Sequence, residues 1–176
     1  MGQYYRPTVL EKKEWLNSHD YNNGLKLTEH SWLENDFVNA VETLLVKGGK
    51  WFKCRLVWAG DYADAEKGIN KNLYSLCEKK LNPKAKEDIE KHNEDFPFIV
   101  NHDKKEFVDK SKGVEDSEGW KIHPLPLLTC EGNGDGNGDF FGKDTKKLVG
   151  SWSRDKISIE KEKPKGFKEL IFDLVE

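Results

Sequence analysis

Cysteine is scarce in this chain, and its placement excludes several classes at once. Cys54, Cys77 and Cys130 are an odd number, far apart, with no CxxC pair. That spacing argues against a disulfide framework and against a zinc ribbon. No apolar run approaches the roughly 20 residues of a membrane span. The opening stretch MGQYYRPTVLEKKEW has no apolar signal region, and Arg6 breaks the myristoylation pattern after Gly2. A cytoplasmic protein without membrane contact is therefore expected.

A basic stripe is missing as well. Lysine and arginine number 29 against 32 acids, finely interspersed, for a formal net charge of −3. A nucleic-acid binder carries a basic face, so no nucleic-acid partner is expected. No HExxH or HxH occurs, no GxxxxGK[ST], and no GxGxxG at dinucleotide-fold spacing.

Aromatic bulk is what the chain does have. Hydrophobic residues are only 36%, but six Trp, nine Phe and five Tyr are among them. Each aromatic buries about 150–250 Å², so few aliphatics are needed. A length of 176 residues fits a single domain over 1–176, with the polar stretches 82–95 and 110–118 as exposed insertions.

Residues 4–10 read as a strand that Pro7 confines to an edge or a strand start. Asn22-Asn23-Gly24 predicts a hairpin with arms near 15–21 and 25–29, since a type I′ turn needs positive φ at both central positions. Ser31 and Glu34 have capping-box spacing, which predicts a helix over 32–46 ended by Gly48-Gly49. Its buried face would carry Phe37, Val41, Leu44 and Leu45. WFKCRLVW (51–58) is apolar enough for a central strand. A second helix is expected over 69–81 and a hairpin over 98–101 and 106–109. Pro124 and Pro126 predict extended chain over 120–130. Short strands follow at 147–152 and 156–160. Residues 167–175 form a strand or a short helix, and the alternation of Leu170, Phe172 and Leu174 favours the strand. The class is α+β: a mostly antiparallel sheet of about six to eight short strands with two main helices packed on it.

The most distinctive segment is 131–139, EGNGDGNGD, where four glycines alternate with five oxygen-bearing residues. Such a segment cannot bury apolar surface, and its glycines open backbone angles closed to other residues. It resembles the front half of an EF-hand calcium loop. Glu131, Asn133, Asp135, Asn137 and Asp139 fall at positions 1, 3, 5, 7 and 9, and Gly136 at position 6. Position 12, where a bidentate Glu should stand, is Gly142. Glu131, Asn133, Asp135 and Asp139 would then hold calcium weakly, at about millimolar affinity. The uncovered N–H groups of such a loop can also face a ligand. Its three acids suit a nucleotide's base or sugar better than its phosphate.

Three further features carry chemistry. Asp61 and Asp64, with Trp58 and Tyr62, follow a buried strand, where active residues gather. Trp152-Ser153-Arg154-Asp155 offers a guanidinium for a carboxylate or phosphate. His123 precedes Pro124 near the glycine-rich segment. Cys130, beside Glu131, reads as a buried, inert thiol.

These features point to a binding protein more than to an enzyme. Trp58, Tyr62, Asn133, Asp135, Asn137, Trp152 and Arg154 would line one aromatic, polar-rimmed site for a small molecule, such as a nucleotide, or for a protein partner. An immunity or anti-defence accessory factor fits that description. Two alternatives are a metal-assisted hydrolase using Asp61, Asp64, Asp135, Asp139 and His123, and a structural calcium loop.

Overall fold

The structure, a computed structural model, describes residues 3–83, 94–132 and 140–176. Strand β3 (Cys54–Gly60) is its axis. Leu56 and Trp58 enter the main core, while Val57 and Ala59 join Leu73 in a second cluster on the other face. A strand covered on both faces reads as a continuous apolar run, which is why 51–58 looked central. One edge of β3 pairs antiparallel with β1 (Tyr5–Val9), from Tyr5↔Gly60 to Val9↔Leu56. Two partners divide the other edge. Strand β8 (Asp155–Glu160) runs antiparallel to the first half, and β7 (Cys130–Glu131) runs parallel to the second.

The rest of the sheet grows outward from these. Beyond β8 lie the hairpin β5 (Phe98–Asn101) and β6 (Glu106–Asp109), then β9 (Lys168–Glu169). Beyond β1 lie β2 (Glu14–Trp15) and β4 (Asn82–Pro83), giving the order β4-β2-β1-β3-β8-β5-β6-β9 with β7 off the path. The α+β class holds, but the sheet is mixed. Strands β2/β4, β3/β7 and β6/β9 pair in parallel over two residues each.

Pro7 is not at an edge, because β1 has neighbours on both sides. Its effect is local. Leu16 donates its N–H to the Pro7 carbonyl at 3.1 Å. Pro7 has no N–H with which to return the bond, and β2 stops there.

Helix α2 (Asp36–Leu45) buries Phe37, Val38, Ala40, Val41, Leu44 and Leu45. Its cap is Asn35, whose side chain accepts from the N–H groups of Phe37 (3.0 Å) and Val38 (3.2 Å). The expected capping box does not form. Ser31 Oγ is buried without a hydrogen bond to any described residue, and Glu34 has φ +68°. Helix α3 (Leu73–Lys80), capped by Asn72, lies over the second cluster. Arg6 from β1 reaches it. The guanidinium lies 4.8 Å from the Trp15 ring centre and 4.1 Å from that of Tyr74, and it pairs with Glu78 at 2.7 Å.

Three local expectations are corrected. The 15–29 hairpin is instead a 3-10 turn, Ser18–Tyr21, followed by α1 (Leu27–His30). Asn22, at φ +57°, closes the turn, so its left-handed preference serves a helix cap. Residues 124–129 are helical despite two prolines. In α4 (Pro124–Thr129) the prolines occupy the first turn, where no intrahelical N–H is used. The 147–152 strand is replaced by α5 (Thr145–Leu148) and a turn. Of the expected insertions, 84–93 lies outside the described residues, and 110–118 begins with a lysine, Lys110, that is 1% exposed.

Candidate functional site

Three segments that are distant in sequence meet where β8 leaves β3 and β7 takes its place. Arg154 sits in that notch at φ +67°, its N–H donating to the Leu56 carbonyl at 2.8 Å. Its Nε and Nη2 donate to the two oxygens of Glu131 at 2.6 and 2.7 Å. Nη1 donates to Glu66 at 3.1 Å, and Nη2 donates to Glu66 as well. Ser153 Oγ adds a third bond to Glu131 at 3.0 Å. The two carboxylates hold the guanidinium above its ordinary pKa, and the bonds from Arg154 hold the Glu66 carboxyl below the usual range.

The last turn of β3 completes this rim. A Cβ on Gly60 would stand 2.2 Å from the Glu131 carbonyl oxygen, so only glycine lets β7 pack there. Asp61 accepts from the Tyr4 backbone N–H at 3.0 Å, which ties the start of β1 to the end of β3. Tyr4 and Tyr62, on either side of that tie, are 43% and 41% exposed. Asp64 is exposed.

Glu131, Arg154 and the end of β3 thus meet, but not every predicted side chain faces outward. Trp58 is wholly buried, and its indole N–H donates to His30 Nε2 at 3.0 Å. Trp152 is also wholly buried, bonded to Glu106 at 2.9 Å. Both oxygens of Glu131 are engaged by Arg154. Asn133, Asp135, Asn137 and Asp139 lie outside the described residues. Cys130 is buried, and burial pushes its thiol up to about 12.

His123 lies in a different environment, one that sequence reasoning missed. It caps α4 by accepting the Leu125 N–H on Nδ1 at 3.1 Å. Nε2 therefore carries the proton and donates to Glu42 Oε1 at 2.6 Å. Lys110 Nζ donates to the other oxygen of Glu42. All three side chains are at most 1% exposed. Burial would raise the Glu42 carboxyl, but His123 and Lys110 outweigh it and keep it ionised. Burial also lowers His123 and Lys110. Glu42 is legible only from the lack of a solvated stripe on α2, and Lys110 looked like part of a charged connector.

No family model, curated protein or solved structure matches the chain.

Among the described residues no three His, Cys, Asp or Glu side chains are grouped to hold a metal. Chemically, the described residues offer a guanidinium already paired with two carboxylates, with Gly132 exposed beside Glu131.

Proposed function

We propose that the chain is a non-enzymatic cytoplasmic binding protein whose ligand sits on the Arg154 rim. The observation that carries this reading is the Glu131–Arg154–Glu66 bridge, which fixes three sequence-distant segments beside Tyr4 and Tyr62 at the foot of the glycine-rich segment. A rim ordered before binding loses little entropy on binding, and tyrosines give large contact area with few rotatable bonds. Because Arg154 is already spent on two carboxylates, phosphate recognition is disfavoured. A small ring-bearing polar molecule, such as a nucleoside, fits best. An immunity or anti-defence accessory that sequesters such a molecule is the setting we favour. The engagement of both ring nitrogens of His123 favours binding over metal-assisted hydrolysis, and the engagement of Glu131 favours it over a calcium loop.

The test is mass spectrometry of small molecules released by heating the purified protein. A ring-bearing compound carried by the wild type and lost from Tyr62→Ala supports the reading. Identical profiles from the two, or none from either with no nucleoside binding in calorimetry, overturn it.

A further inference from the structure

A second feature lies outside that rim. Trp32, Asp116, Ser117, Glu118, Trp120 and Glu176 line an open cleft of about 410 Å³. Trp120 is 54% exposed, although every other tryptophan is at least partly buried. An indole left in water by a fold that buries or half-buries its other five indoles marks a contact surface.

The cleft is held in shape before anything enters it. Asp116 Oδ1 accepts from the N–H groups of Glu118 (2.8 Å) and Trp120 (2.9 Å), and the Asp116 N–H donates to the Trp120 carbonyl at 2.9 Å. Opposite, Trp32 is anchored through its indole N–H to the Thr28 carbonyl at 3.1 Å, and its backbone bridges to Ile122. The two rings stand 6.0 Å apart at 60°. Among the described residues no lysine or arginine lines the cleft, and neighbouring Lys121 is paired with Glu115 at 3.7 Å. Electron-rich indole faces beside carboxylates attract a cation. A planar guanidinium gains more there than an ammonium does, because it stacks on a ring while its fork meets a carboxylate.

We infer that the Trp32–Trp120 cleft takes the guanidinium of an arginine displayed by a protein partner. The charge of the lining chooses the sign of the occupant. The open shape suits a side chain projecting from a larger surface.

The test uses the full chain, labelled with ¹⁵N, and follows the indole N–H signals of Trp32 and Trp120. The probes are a five-residue peptide with a central arginine, the same peptide with citrulline or lysine there, and free N-acetylarginine amide. Saturable shifts with the arginine peptide are expected, at least tenfold weaker with citrulline and at least threefold weaker with lysine. The paired variant Asp116→Asn, Glu118→Gln keeps the Oδ1 acceptor of the turn and should weaken binding at least fivefold. Trp120→Ala should abolish it while other amide signals stay in place. Equal binding of the citrulline or lysine peptide, or no loss in the paired variant, overturns the inference. N-acetylarginine amide binding as tightly as the peptide overturns the protein source. None of these residues belongs to the Arg154 rim, so Tyr62→Ala leaves this titration unchanged and the two readings fail separately.

Discussion

His30 is held neutral by Trp58: the indole N–H donates to Nε2 at 3.0 Å, while Nδ1 bonds the Gly24 carbonyl at 3.0 Å. The ring must therefore carry its proton on Nδ1, and Nε2 has no room for a second. Burial lowers its pKa from 6.5 to about 4. The unfolded chain takes up this proton first as pH falls. The stabilisation is whole above pH 6.5 and is lost progressively down to pH 4. About 3 kcal/mol is at stake. Urea unfolding from pH 7.5 to 4 should show this slope in the wild type and a shallower one in His30→Gln. Parallel curves would rule the assignment out.

Glu42 depends on Lys110 in a different way. Lys110→Met leaves a carboxylate in the core without its cation, and removing one partner of a buried pair costs about 3–5 kcal/mol. Pairing it with Glu42→Gln should return much of that loss, because a neutral amide can still accept from His123. Denaturant midpoints of the single and double variants measure the coupling. Simple additivity would show that the two side chains do not act together.

Arg154→Lys tests the rim without removing its charge. An ammonium cannot serve two carboxylates with a planar fork. A loss of about 1 kcal/mol is expected, since the pairs are partly exposed and screened. The gap between the two proteins should narrow in 1 M salt. A variant as stable as the wild type at low salt would mean the bridge holds nothing in place.

Gly60→Ala should be costly although it adds a single methyl, because Gly60 is buried against β7. The added methyl meets the Glu131 carbonyl oxygen, so β7 must move off β3. Overpacking of this kind costs about 1–3 kcal/mol, a fall of several degrees in Tm. An unchanged melting curve would refute the contact.

The sheet's axis and its hairpin were legible because pattern and burial agree there. Within 51–58, residues 54–58 belong to the strand and are apolar on both faces apart from Arg55, while 98–101 and 106–109 are short apolar runs around a polar turn. Local signals failed where two structures share one signature. Asn22-Asn23-Gly24 suits a hairpin and a helix cap equally, and only the packing of Tyr21 and Leu27 into the core selects the cap. Pro124 and Pro126 forbid a helix interior but not a first turn. At the site, nothing in the sequence gives a reason for Glu131 and Arg154 to pair, and Trp58 and Trp152, expected at its surface, are core. Glu42 and Lys110 are 68 residues apart, and nothing short of the fold reports such a pairing.

Arg6, stacked between Trp15 and Tyr74, fastens α3 to a face whose apolar cluster, among the described residues, has Val57, Ala59 and Leu73 as its buried members. That helix has far less to lose on detaching than α2, which is sunk in the main core. Its amides should exchange with deuterium first, through an opening that leaves the opposite layer shut. The molecule would thus possess a door hinged on one cation.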